Sequence, residues 1–455
     1  MKHFLTVTAL LLWCGLLWGC GAPASSHTES ALHFSSTHPH YPEMAPYPNE
    51  MDFVDPKTGI FDDEGFSKVY DAWQSNQDLR SDIPQNYAQN LSPYFQRCIP
   101  AFLSNKDQNT VCSPLNVYMS LALLAESTNG GSRQEILALL EATDIESLRR
   151  QADQVWRAHY MDDGASACVL ANSLWLDDSV SYNEDTAGLL SSNYYTSVFH
   201  GDLGSDVTHE LFRSWLNDQT KGLLEGQIHN IQMDPATVMS LASTIYYRAK
   251  WSNKFHPEDN TDGFFHTPGA EQKTTFMNQT LSYGPYFWGE DFGAVRLHLS
   301  DKSKMWLILP DEGLSPGDLL DSGHALNLIL GDVSLYDNQK FLRVNLSMPK
   351  FDIVEDSQLN NAMQALGITS VFDPGIADFT PILPDTGAWL DSVKHAARVK
   401  VDEEGVEAAA YTAMLIAGAA MPPEEEMDFV LDRPFLFVIT SQDSLPLFAG
   451  VVNEP

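Results

Sequence analysis

From Ala408 to Pro423 this strongly acidic chain carries no charge at all. The stretch follows Ala397-Arg-Val-Lys-Val-Asp402, which opens as a strand. Ala397, Val399 and Val401 lie on one face of it, and Arg398, Lys400 and Asp402 on the other. Gly405 interrupts, and small or apolar residues then run on to Met421-Pro422-Pro423. As an ordinary exposed loop such a run invites aggregation. The plain alternative is a buried helix or strand. Read with period 2 from Val406, one face is Val406, Ala408, Ala410, Thr412, Met414 and Ile416. The other is Glu407, Ala409, Tyr411, Ala413 and Leu415, with the only charge and the one large ring. The first face suits a core. A loop able to become a central strand has this form.

Composition narrows the partners. With 26 Lys+Arg against 61 Asp+Glu the chain carries a formal charge of −35. Such a surface repels nucleic acid, heparin-like polyanions and anionic headgroups. A hydrophobic content of 44% over 455 residues excludes a disordered chain. The start is a leader: Met1-Lys2-His3 precedes an apolar run from Phe4 to Gly19, too short to span a bilayer. Residues 1–19 are expected to be a signal peptide. Leu17-Trp18-Gly19-Cys20 resembles the bacterial lipobox, which predicts a Cys20 lipidated at the mature N-terminus. The chain would then be exported and tethered to the cell envelope by its lipid alone. The alternative is ordinary cleavage after Ala22 or Ala24, with secretion and loss of Cys20. Residues 20–84 read as linker and N-terminal extension. The part to about Asn49 is a flexible tether, and the aromatics Phe53, Phe61, Phe66, Tyr70 and Trp73 pack on a domain surface. His27, His33, His38 and His40 have no spaced carboxylate or thiol partners, so no metal site is expected. Cys98, Cys112 and Cys168 read as buried thiols, with one disulfide open as an alternative.

The folded domain is expected over 85–455. Asn86 to Leu103 has helical spacing, interrupted by Pro93 and Pro100, and Ser113-Pro114 starts a second helix with Ser as N-cap. Later segments change chemistry: Leu241–Tyr247 and Met305–Leu309 are apolar runs of strand length. Phe341–Met348 alternates, with Leu342, Val344, Leu346 and Met348 on one face. Helices early and strands late give an α+β fold with large mixed sheets. Gly313-Leu-Ser315-Pro-Gly317 matches the nucleophile elbow of α/β hydrolases, but Pro316 has no N–H for an oxyanion hole. A solvent-exposed turn is expected there. No other catalytic or cofactor motif stands out, so neither an enzyme nor a cofactor is expected.

Glu403-Glu404-Gly405-Val406-Glu407-Ala408-Ala409-Ala410-Tyr411-Thr412 resembles the reactive-loop hinge of inhibitory serpins. Ser113-Pro-Leu115, Asn217-Asp-Gln-Thr-Lys-Gly222, Ile245-Tyr-Tyr-Arg-Ala-Lys-Trp251 and Met348-Pro-Lys-Phe351 are similar to other motifs of that family, in the right order. So are Leu366–Phe372, Arg433-Pro-Phe-Leu-Phe437 and the ending Leu447-Phe-Ala-Gly450 to Pro455. The resemblance covers roughly residues 85 to 455. It implies a monomeric suicide substrate: a protease serine attacks the loop, an ester forms, and the freed loop enters the main sheet before water can cleave the ester. The family's spacing from Glu403 puts the reactive bond at Ala419-Ala420. A small residue there suits elastase-like proteases and disfavours trypsin-like ones. The resemblance also implies a cluster that controls sheet opening, formed by Ser113, Ser243, His395 and Trp251. Three positions depart from the pattern: Val406 stands for Thr or Ser, Tyr411 for a small residue on the outward face where size matters less, and Ser243 for Asn. Two other readings remain: a serpin that binds without inserting, and a lipoprotein hydrolase using Ser315.

Overall fold

The computed structural model describes residues 35–76, 82–84, 86–104, 108–228, 232–234, 236–391, 393–406 and 425–455. The leader, Cys20, the hinge residues Ala408, Ala409, Ala410 and Thr412, and the bond Ala419-Ala420 lie outside them.

Two sheets organise these residues. The first has eight strands: β1 (Ser35–Thr37), β2 (Met161–Asp162), β3 (Ala167–Asp177), β4 (Thr196–Gly201), β5 (Met239–Lys250), β6 (Phe351–Gln358), β7 (Lys394–Val401) and β8 (Gly405–Val406). Across the sheet the order is β1-β4-β3-β5-β8-β7-β6, with β2 pairing β3. The second has nine strands and includes Lys304–Pro310 and Gln339–Pro349. In the latter Leu342, Val344, Leu346 and Met348 are buried while Lys340, Phe341 and Arg343 are exposed, the alternation expected of a strand with one face in a core. The helices Ser92–Phe102 and Pro114–Ser127 close the apolar interior, with Tyr94, Phe95, Leu115 and Tyr118 fully buried. The fold is α+β, as the order of chemistries along the chain implies.

The first described residues depart from the expected tether. β1 pairs antiparallel with β4, Ser35 opposite His200 and Thr37 opposite Val198. Tyr41 then sits 5.4 Å from the Trp156 ring, and the Tyr47 amide donates to Asp163 O at 2.9 Å. The folded body therefore includes residues from Ser35 onward. A three-residue edge strand held by backbone bonds has no apolar period to reveal it. Helix Asp63–Asn76 follows, and its Phe66 packs edge-on against Phe53 at 5.5 Å.

Two further departures are local. The helix expected from Asn86 begins at Ser92, with Pro93 in its first turn, and turns precede it. Pro is at ease there because the first helical amides have no internal acceptor. Ser315 is the N-cap of helix Pro316–Ser322: its Oγ accepts from Asp318 N at 3.3 Å and donates to Asp318 Oδ2 at 2.7 Å. This is a capping box rather than a bare turn, and the hydroxyl is committed to it. Cys98 and Cys112 are free, buried thiols, and Cys168 is buried as well.

Candidate functional site: the sheet slot and its hinge

β8 is two residues long and pairs on both sides. Gly405 lies opposite Lys250 and Val406 opposite Ala249 on β5, while Val406 also lies opposite Val401 on β7. Both pairings are antiparallel, so β5 and β7 run parallel to each other with β8 between their ends. Beyond β8, among the described residues, no ladder joins β5 to β7. The consequence shows in exposure: β5 is half-buried from Met239 to Ser243, whereas its neighbour β3 is buried from Ala167 to Leu176. Below β8 the facing edges of β5 and β7 share no ladder, although some of their Cα atoms lie within 8 Å of each other.

The top of this slot is fixed by Gly405 and the acids before it. Gly405 has φ +156°, and a Cβ there would stand 2.4 Å from Ala249 O and 2.6 Å from Lys250 Cα. Only glycine lets the hinge come so close to β5. Glu403 is nearly buried; Lys350 Nζ approaches its carboxylate at 2.5 Å and Asn260 Nδ2 donates to it at 2.6 Å. Burial would raise that carboxyl, but the hydrogen bonds from Lys350 and Asn260 outweigh it and hold the group below its ordinary value. The Glu403 and Glu404 carbonyls accept from Phe255 N at 3.2 Å and Trp251 N at 3.1 Å. Trp251 Nε1 donates to Asp402 O at 2.8 Å.

A second polar group lies lower on the inner face. Ser113 N donates to His395 Nε2 at 3.1 Å, and Ser113 Oγ donates to Leu447 O at 2.7 Å. Ser243 Oγ donates to Asn116 Oδ1 at 2.6 Å, and Asn116 N donates to Ser113 Oγ at 3.3 Å. Burial pushes the His395 imidazole down to about 4. It is therefore neutral near pH 7, and an accepting Nε2 places its proton on Nδ1.

The expected grouping of Ser113, Ser243, His395 and Trp251 is only partly met. The first three gather through Asn116. Trp251 follows the last residue of β5, about 26 Å along an extended chain from Ser243, and belongs to the hinge instead. Ser243, where the family pattern has Asn, keeps a bond into the cluster. Sequence reasoning missed Asn116, Lys350 and Asn260. Asn116 carried a local signal, three residues after an N-cap serine; the other two are brought to Glu403 only by the fold.

The outer side of the slot is covered. Helix Asp206–Gln219 contributes Phe212, Trp215 and Leu216 to an apolar cluster on which Ala242 of β5 and Ala396 of β7 pack. Arg398 Nη1, from β7, donates to Leu223 O at 2.9 Å just beyond that helix.

The hinge therefore joins two parallel strands of the main sheet at one end only, and the comparisons identify the class of protein built this way. The sequence model of the family described as serpin (serine protease inhibitor) matches residues 97–455. Leukocyte elastase inhibitor of Sus scrofa is 27% identical over 361 residues, covering 77% of this chain and 94% of the relative. Serpin-ZX of Arabidopsis thaliana is 27% identical over 371 residues, covering 77% and 93%. The crystal structure of a thermophilic serpin, tengpin, in the native state superposes with TM-score 0.71 at 24% identity, covering 82% of this chain and 95% of that one. The chain belongs to the serpin family. That family is one of protease inhibitors, not enzymes.

Proposed function

We propose that this chain inhibits elastase-like serine proteases as a suicide substrate, by cleavage at Ala419-Ala420 and insertion of the freed loop between β5 and β7. The observation that carries the reading is the register at β8. Continued one residue per rung from Val406, it sets Ala408 between Tyr247 and Val399, and Ala410 between Ile245 and Ala397. Thr412 then falls between Ser243 and His395, and Met414 and Ile416 meet Leu241 and Met239. Every apolar residue of the inward face meets an apolar wall. The one hydroxyl on that face meets the two polar wall residues of the cluster that also holds Ser113. A shift of one residue would point Glu407 and Tyr411 at the core and lose all of this.

In this reading the protease serine attacks the Ala419 carbonyl, the bond to Ala420 breaks, and an ester holds the enzyme. Insertion then carries the ester to the far end of the sheet, more than 40 Å at roughly 3.3 Å per residue. The small residues Ala417 to Ala420 support an elastase-like target, and the Sus scrofa relative is itself a leukocyte elastase inhibitor. The apolar run from Phe4 to Gly19 supports export, and Leu17-Trp18-Gly19-Cys20 supports a lipid tether. Mixing the protein with elastase tests the proposal: an ester complex should survive denaturing electrophoresis, and mass spectrometry should place the cut after Ala419. Faster trapping of trypsin than elastase would reject the bond.

A further inference from the structure

In the second sheet, strand Gln339–Pro349 pairs antiparallel with strand Glu271–Trp288 through a β-bulge. Leu342 lies opposite Gly284 and Val344 opposite Leu281, so Ser282 and Tyr283 together face Arg343. A Cβ at Gly284 would stand 2.9 Å from Leu281 Cβ, and glycine there lets the bulge close. A bulge re-aims the side chain it carries. This one sets Tyr283 against Phe341, diagonally across the ladder, with ring centroids 4.5 Å apart and planes at 16°. Tyr283 is 55% exposed and Phe341 45% exposed. Apolar side chains scattered singly over a surface are ordinary, but two rings stacked on each other in water call for a reason.

The same strand holds the chain where it returns to the body after the proposed reactive bond. Arg343 N donates to Glu425 O at 3.0 Å, and Lys340 Nζ pairs with the Glu425 carboxylate. Phe341 stands between those two residues, within about 7 Å of strand from the Glu425 anchor. Five residue steps separate Ala420 from Glu425, so the reactive bond lies within about 18 Å of Glu425 whatever path the chain takes. A protease domain of about 200 residues is about 40 Å across. An enzyme seated on that bond therefore overhangs the surface around Glu425. We propose that Tyr283 and Phe341 are a docking patch for the target protease, a second contact outside the loop. The matching surface on the enzyme is apolar and borders its cleft on the side that takes the residues after the cut bond. Aromatic rings at the centre of an interface carry much of its binding energy once water is excluded. A second copy of this chain fits the patch less well, because two bodies of charge −35 repel. The inference rests on the inhibitory reading above and adds to it a reason for target choice that the loop does not supply.

The test uses full-length wild type, Tyr283→Ser, Phe341→Ser, the double variant and a control, Trp389→Ser. Trp389 is 52% exposed and precedes β7 at the end of that strand away from β8. Affinity is measured for elastase whose catalytic serine is replaced by alanine, so that binding is read without chemistry. The rate of trapping and the share trapped are then measured with active elastase. The double variant should bind about 30-fold more weakly and trap more slowly, with the trapped share and the intact Tm unchanged. The two single losses should not multiply to the double loss, because the rings touch. Trp389→Ser should bind as wild type does. The proposal is overturned if the double variant binds and traps at the wild-type level, or if Trp389→Ser loses as much. It is equally overturned if the patch holds two copies together, shown by a wild-type dimer that the double variant abolishes while elastase binding stays the same. Wild type that traps no elastase refutes the target proposed above and this inference with it, so the two failures read differently. Should the double variant not fold, the single variants decide by the same measurements.

Discussion

Gly405→Ala adds one methyl group where β8 lies against β5. Its Cβ would lie 2.4 Å from Ala249 O, about 1 Å inside ordinary contact, and φ +156° is a backbone setting that side chains rarely adopt. The obstruction is main chain, so no rotamer change relieves it. Overpacking of this kind costs about 1–3 kcal/mol, and the backbone strain about 1–3 kcal/mol more. The intact protein can escape most of that by releasing β8, which is held by only two rungs on β5. The fold should therefore survive with a small loss in Tm. Insertion cannot escape it, because every later rung extends from this one. Taking about 3 kcal/mol as the cost, the properly seated hinge is disfavoured about 100-fold, and insertion slows in proportion. Hydrolysis of the ester then wins. Titration of elastase with wild type and Gly405→Ala, read on a denaturing gel, gives the ratio of trapped enzyme to cleaved inhibitor. Wild type should give mostly complex and the variant mostly cleaved chain. If Gly405→Ala traps elastase at the wild-type ratio, β8 is not where insertion starts.

Three other outcomes follow from the same geometry. Ala410→Pro should fold and be cleaved normally but behave as a substrate, since Pro lacks the N–H for a mid-sheet rung; trapping at the wild-type ratio would refute it. His395 should make stability fall with acid. Its folded value near 4 lies below an ordinary 6.5, so the unfolded chain binds the extra proton between them, and stability present above pH 6.5 is lost as pH falls toward 4, by roughly 3 kcal/mol in all. Urea midpoints from pH 7 to 4 should show the slope in wild type and a flatter one in His395→Gln; equal slopes would remove His395 as the cause. Cys20→Ser, expressed in a bacterium, should lose palmitate labelling and detergent partition that wild type shows; if neither form is labelled, the leader is an ordinary secretory signal.

Alternation along a strand tells which residues share a face, and that much was legible. The inward position of Val406, which is buried, is written in the residues beside it. So are the alternation of Phe341–Met348 and the N-cap at Ser113, because each depends on neighbours within a few positions. What alternation cannot tell is what covers a face. Nothing near Ala242 or Ala396 in sequence names Phe212, Trp215 and Leu216 as what covers them, because that cover is supplied by a separate helix. The same reason hid Lys350 and Asn260, which reach Glu403 across separate elements. It also separated Trp251 from the cluster assigned to it, since a family motif gives membership of a site but not distance along a strand. β1 was missed for a different cause: Ser35-Ser36-Thr37 is held by main-chain bonds, and its side chains carry no pattern to read. The functional residues hardest to find are therefore not the chemically conspicuous ones. They are ordinary side chains whose role depends on a second element arriving above or beside them, as Lys350 and Asn260 arrive beside Glu403.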